Sequence, residues 1–129
     1  MSTRGQLIVW YYNPEIDDYE AKLNYYHHCD SYPSYLSEDI KNALKEVKSF
    51  SENNIKDAFD KYDCAYELNY LEMEAGDIEY AWHLFITENE AAELKYIKVN
   101  MYEEGNIHKA LTQPQTFGDS FIHAWYMCV

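Results

Sequence analysis

Residues 6–12 read QLIVWYY, a run of β-branched and aromatic side chains that is apolar on both faces of an extended chain. Such a run is typical of a central strand that is buried on both sides. In residues 19–27 (YEAKLNYYH) apolar and polar positions instead alternate, as in a strand with one buried face. Residues 13–18 between the two contain Asn-Pro and Asp-Asp, which favour a turn. The sequence therefore predicts a β-hairpin at the start of the chain.

The hydrophobic period changes to that of a helix after the hairpin. We predict two short helices, capped by Ser37 and Ser51, because apolar residues then recur every three or four positions. From residue 65 the alternation returns, with strands at 66–70, 79–87 and 94–102, and the apolar residues 121–126 are expected to dock as a last helix or strand. The predicted order is ββααβββ: an α+β domain with two helices packed on one face of a mostly antiparallel sheet.

Composition limits both the size of the fold and the class of partner. The chain has 129 residues, 47% of them apolar, which suits a single domain over residues 1–129. Acidic residues outnumber basic ones by 23 to 10, and the formal net charge is −13. This charge disfavours direct binding to nucleic acid and to anionic membranes, which require clustered Lys and Arg. It favours a basic partner protein instead.

The sequence carries no recognisable targeting or membrane segment. Residues 1–5 lack the features of a secretory signal, and no apolar stretch reaches the about 18 residues that cross a bilayer. The cysteines, Cys29, Cys64 and Cys128, are odd in number and show no metal-ligand spacing. We therefore expect a cytoplasmic protein with reduced thiols, no metal and no cofactor, as a monomer or a homodimer.

A long acidic interval is the first candidate for function. Between Tyr62 and Leu94 the chain has no Lys or Arg. We predict a partner-binding acidic surface formed by Glu67, Glu72, Glu74, Asp77, Glu79, Glu88, Glu90 and Glu93. Interspersed tyrosines suit an interface, because they add contact area with little loss of entropy. The alternative is a solvated face that keeps a tyrosine-rich sheet soluble.

A motif at the junction of strand and helix is the second candidate. Residues 26–33 read YHHCDSYP, and Arg4 lies in the opening STRGQLIV. These residues resemble a family of small proteins, many in phages and prophages, with a leading Thr-Arg or Ser-Arg and then Tyr-x-His-x-Asp-Gly-Tyr-Pro before a helix. The matching positions are Tyr26, His28, Asp30, Tyr32 and Pro33. The resemblance covers the first third of the chain and implies a viral or mobile-element origin, and hence action inside a host cell.

Three interpretations of the motif stay open. It is a buried polar knot, in which Asp30 contacts His28 or Arg4, or a loop that binds a nucleotide or peptide, or a catalytic pair of His28 and Asp30. Ser31 stands where the family has glycine, and it would tolerate a positive φ poorly and obstruct a ligand. A metal site is disfavoured, because His27 and His28 are adjacent on a strand and point to opposite faces.

The known catalytic motifs are missing from the sequence. There is no GxGxxG, GxxxxGK[ST], GxSxG or HExxH, so we predict no catalytic residue and disfavour an enzyme. His83 is expected to be solvated or singly hydrogen-bonded.

Three functions remain. The first is an inhibitor that occupies a basic surface of a host defence system, such as a CRISPR effector or another nucleic-acid-binding nuclease, as a nucleic-acid mimic. The second is a binder that sequesters a nucleotide immune signal, and the third is a small hydrolase that uses His28 and Asp30.

Overall fold

The computed structural model describes residues 3–28, 31–45, 47–60, 65–68, 70–87, 91–115 and 124–128. The elements, in chain order, are β1 (Gly5–Asn13), β2 (Asp18–His27), α1 (Pro33–Leu44), α2 (Glu52–Phe59), β3 (Ala65–Glu67), β4 (Tyr80–Ile86), β5 (Ala91–Lys98), α3 (Asn106–Thr112) and β6 (Ala124–Cys128). None of the helices described is long and apolar enough to cross a membrane.

Six strands form one sheet in the order β3-β2-β1-β4-β5-β6. The central pair, β1 and β4, is parallel, whereas every other neighbouring pair is antiparallel. The parallel pair arises because the chain passes through α1, α2 and β3 before it returns beside β1. The predicted α+β class and the mostly antiparallel sheet are confirmed, and the sheet is mixed because of this one crossover.

One face of the sheet, here the first face, packs against α1 and α2 as predicted. Its core combines side chains of the strands with both helices, and its largest fully buried members include Trp82, Tyr25, Phe59, Leu23, Ile40, Leu44, Ile55 and Leu84. Complete burial of such a side chain stabilises the fold by about 1.5–3 kcal/mol.

The opposite face, here the second face, is covered in part by α3, which the sequence analysis did not predict as a helix. Ile8 and Ala81 pack there with Ile97 and with Ala110 and Leu111 of α3. Strand β1 is thus buried on both sides, which explains why residues 6–12 are apolar on both faces. The short α3 begins after Gly105, whose φ of 78° lies in the left-handed region that glycine adopts readily.

Several element boundaries differ from the prediction, and β5 spans Ala91–Lys98 where a strand at 94–102 was predicted. Helix α1 begins at Pro33 instead of after Ser37, because proline suits the first helical turn. Ser51 does cap α2, and its hydroxyl accepts a hydrogen bond from the Asn54 amide. Strand β3 has only three residues, and the C-terminal addition consists of α3 followed by β6.

Candidate functional site

Residues 70–79, here the 70–79 segment, cross the second face without forming a helix or strand. Two fully buried amide side chains hold this segment. The Gln6 amide nitrogen donates to the Asn24 side-chain oxygen and to the Met73 carbonyl, each at 2.7 Å, and its oxygen accepts from the Ala75 amide at 2.9 Å. Because buried amides need partners, the sheet fixes the path of the segment.

Asn24 completes this network. Its side-chain nitrogen donates to the carbonyl oxygens of Tyr70, Leu71 and Met73 at 3.2, 3.3 and 2.9 Å. Gln6 is 0% and Asn24 is 1% exposed. Sequence reasoning missed both residues, although each is a polar side chain within a run of apolar or aromatic neighbours.

The segment displays apolar side chains between carboxylates. Tyr70, Leu71 and Met73 are 66%, 45% and 38% exposed. Glu72 and Glu74 alternate with them along the chain. Exposed apolar groups close together on a fixed backbone are typical of an interaction surface.

The predicted acidic surface is divided between separate parts of the sheet. Glu72, Glu74, Asp77 and Glu79 lie on the 70–79 segment, whereas Glu67 lies on β3 and Glu93 on β5. Three strands separate β3 from β5, a span of about 20 Å. Because β2, β1 and β4 lie between them, the structure does not bring Glu67 and Glu93 together. Glu88 and Glu90 lie outside the described residues.

Several of these carboxylates already contact a cation or an imidazole. Glu67 pairs with Lys56 at 3.4 Å, Glu93 with Lys95 at 2.7 Å, and Glu74 contacts Nδ1 of His108. In contrast, Glu72 and Glu79 form no ion pair with any residue that the structure describes. These two are the carboxylates of the segment best placed to meet a basic partner.

The motif residues and the 70–79 segment meet at Asp77. Its carboxylate lies 3.2 Å from the Arg4 guanidinium and accepts a hydrogen bond of 2.9 Å from the Tyr26 hydroxyl. The ring of His28 stacks on that of Tyr26, with 6.5 Å between the ring centroids. Arg4 therefore pairs with Asp77, while its predicted partner Asp30 lies outside the described residues. Both members of the ion pair are nearly half exposed, so its contribution to stability is at most about 1 kcal/mol.

Ser31 is the centre of a buried hydrogen-bonded cluster between the hairpin and α1, which differs in its residues from the predicted contact of Asp30 with His28 or Arg4. The Ser31 hydroxyl donates to the His27 carbonyl at 3.0 Å and lies 2.8 Å from Nδ1 of His27. The Ser31 carbonyl accepts from the Trp82 indole at 3.2 Å, and its amide donates to Thr3 at 3.1 Å. Ser31 is fully buried, so its side chain presents no surface to a ligand.

Ser31 needs no left-handed backbone, since Asp17 alone among the described non-glycine residues has a positive φ.

Tyr32 precedes α1, and the centroid of its ring lies 6.1 Å from that of Tyr35. Both tyrosines are exposed. The side chain of Pro33 is outside the described part of the chain. Within that part, no group of three His, Cys, Asp or Glu side chains could hold a metal ion.

A second candidate site, here the aromatic cleft, lies at the other end of the second face. Trp10, Tyr19 and Phe85 line it together with Lys95 and Pro114, and it encloses about 620 Å³. The sequence analysis placed Trp10 in the strand 6–12 that is buried on both sides, and it did not group these residues. The period-two pattern places Trp10 and Phe85 on one face, but only the pairing of β1 with β4 sets them opposite each other.

No protein-family model, no curated protein and no solved structure matches the chain. The likeness of the first third to small phage and prophage proteins therefore stays a prediction from its motif.

Proposed function

We propose that the chain is an interaction protein that docks its 70–79 segment on a basic surface of a partner protein. One observation carries this proposal: two fully buried amides, Gln6 and Asn24, hold a surface segment whose apolar side chains are exposed. Hydrogen bonds compensate the burial of both amides, so the sheet holds Tyr70, Leu71 and Met73 at the surface on a fixed backbone.

The fixed backbone favours tight binding. A segment that is already ordered loses little conformational entropy when a partner covers it. The exposed aromatic and apolar side chains supply contact area, in which tyrosine is often an energetic hot spot. Because Asp77 and Glu74 already contact Arg4 and His108, contact by Tyr70, Leu71 and Met73 is the larger source of affinity.

The negative net charge of the chain favours a partner with a basic surface. A net charge of −13 attracts basic surfaces and accelerates association with them, an effect that salt weakens. A basic surface that normally holds nucleic acid fits this charge. The likeness to phage proteins supports a host defence complex, such as a CRISPR effector or another nuclease, as that partner in the host cytoplasm.

The experiment begins with the full chain as bait in host lysate at low and at high salt. Any captured protein is purified, and its affinity is measured for the chain and for two double variants. Glu72→Lys with Glu79→Lys reverses two charges on the 70–79 segment. Glu15→Lys with Glu103→Lys makes the same change in net charge at exposed positions elsewhere.

The proposal predicts that the segment variant binds at least about tenfold more weakly, a change of about 1.4 kcal/mol. The control variant should change affinity much less. Equal loss in the two variants would show that only net charge matters, and unchanged affinity in both would contradict the proposal. The variant Leu71→Ser tests the apolar contribution separately, because it leaves the charge intact.

A further inference from the structure

We infer that the aromatic cleft binds an uncharged, planar heteroaromatic ring, such as the base of a nucleoside. Its volume of about 620 Å³ is that of a small-molecule site. Its lining combines aromatic side chains with a few polar groups, the combination that orients a flat ligand. No residue of the 70–79 segment lines the cleft, although Trp10 and Thr112 also line a smaller pocket beside Leu71 and Met73. The inference does not depend on the proposed function.

Three half-buried rings supply the stacking surface. Trp10 and Phe85 lie on the paired strands β1 and β4, with ring centroids 5.9 Å apart and planes inclined by 19°. Tyr19 meets Phe85 edge-on, at 5.1 Å and 73°. Aromatic side chains grouped on a sheet face in this way are typical platforms for nucleobases, which stack on them through their π faces.

The rings are positioned before any ligand arrives. The Trp10 indole donates a hydrogen bond to the buried His83, which holds the orientation of the indole. Lys95 is held by Glu93 at 2.7 Å, and its ammonium lies 5.9 Å from the centroid of Phe85. Little side-chain freedom is therefore left to lose on binding.

The charges around the cleft exclude a phosphate-rich ligand. Among the described residues the charged groups here are Asp18, Glu93 and Lys95, and the lysine is already paired. The only arginine of the chain, Arg4, is engaged with Asp77. Phosphates require several cations or a nest of backbone amides. A neutral ring therefore suits the site, and the Asp18 carboxylate and the Gln115 amide can pair with polar atoms on its edge.

Titration of tryptophan fluorescence tests this inference on the full chain. The probes are adenosine, guanosine, cytidine and uridine, each followed by its 5′-monophosphate. We expect saturable quenching by at least one nucleoside and weaker binding of its monophosphate. Trp10→Phe should abolish the quenching, which separates Trp10 from Trp82 and Trp125.

Matched variants locate the site. Phe85→Leu and Tyr19→Leu should each weaken nucleoside binding at least about fivefold, whereas Tyr102→Leu, at a tyrosine that is 90% exposed before α3, should not change it. Thermal unfolding identifies any variant that fails to fold. If one of the two cleft variants fails, the nucleoside affinity of the other one tests the inference. Absence of quenching by all four nucleosides, or tighter binding of the monophosphate, would each overturn the inference.

Discussion

The indole Nε1–H of Trp10 donates a hydrogen bond of 2.9 Å to Nδ1 of His83, and this contact decides the tautomer of a fully buried imidazole. Because Nδ1 accepts, the proton of the neutral ring is on Nε2, which donates to the Ala110 carbonyl at 2.8 Å. The ring thereby joins β1, β4 and α3. The expectation that His83 is solvated or singly bonded was wrong.

The stability of the protein should fall in mild acid because of His83. Burial lowers the pKa of His83 from 6.5 to about 4, although the hydrogen bond to Ala110 opposes this shift. The unfolded chain therefore binds a proton more readily than the folded one between these values. The neutral His83 ring therefore makes its full contribution to the free energy of unfolding above pH 6.5. As the pH falls toward 4, this free energy decreases by about 3 kcal/mol.

Urea unfolding at both ends of this pH range measures the loss. His83→Gln is the control, because it removes the titrating group while the carboxylates still titrate. The variant should lose less stability on acidification than the parent chain. Equal losses in the two proteins would assign the effect to the carboxylates instead.

Gly5 should not tolerate a side chain. A Cβ at this position would lie 2.8 Å from Cβ and 2.9 Å from Oγ of Ser31. We expect Gly5→Ala to destabilise the fold by about 1–3 kcal/mol, as overpacking does. Gly76→Ala is the matched control, since nothing lies within 4 Å of its Cβ, and it should be nearly neutral. Similar midpoints of chemical unfolding for both variants would contradict this prediction.

The clash at Gly5 should depend on Ser31. Ser31→Gly by itself loses the hydroxyl contacts with His27 and should destabilise the fold by about 1 kcal/mol. Combined with Gly5→Ala, it removes both clashing atoms, so the double variant should be more stable than the sum of the single effects predicts. A double-mutant cycle measures this coupling, and strictly additive effects would rule out the contact.

Loss of Asn24 should release the 70–79 segment. Asn24→Ala removes the side-chain donor of the Tyr70 and Leu71 carbonyls and leaves Met73 with Gln6 alone, so it should destabilise the fold by about 1–3 kcal/mol. Chymotrypsin should then cleave within the segment much faster. Asn54→Ala is the control, because it removes a side-chain amide that, within the described part of the chain, bonds to Ser49 on the helical side. Equal cleavage at the segment in both variants would disprove the role of Asn24.

The Tyr25 hydroxyl is expected to be dispensable. It is buried and has no hydrogen-bond partner among the described residues, and burial raises the pKa of its phenol. Tyr25→Phe should leave stability unchanged or raise it by up to about 1 kcal/mol. By contrast, Tyr11→Phe removes a hydrogen bond to the Phe50 carbonyl and should destabilise the fold by about 1 kcal/mol. Thermal unfolding compares the two, and the opposite order would contradict the prediction.

Much of the fold could be predicted where the signal is local. The hairpin follows from residues 6–27, and the cap at Ser51 follows from a serine before a helical period. Helix α1 was misplaced at its start, because Pro33 and Ser37 are both plausible initiators and only packing shows that Ser37 is buried. Helix α3 was missed because its seven residues carry too weak a periodic signal.

The candidate sites depend on contacts between distant segments. Gln6 reaches Met73 across 67 positions of the chain, and Trp10 reaches His83 across 73. Local patterns cannot specify such partners, because period-two alternation states which face a side chain takes and not which strand lies beside it.

The sequence by itself determined the class of the fold, the buried centre of the sheet and the negative charge that favours a basic partner. Only the tertiary structure decided that β1 lies parallel to β4. That pairing brings Gln6 and Asn24 beneath the 70–79 segment and sets Trp10 opposite Phe85. The physical reason is that strand register is chosen by the packing of the whole core, whereas hydrophobic period and charge are properties of the local chain.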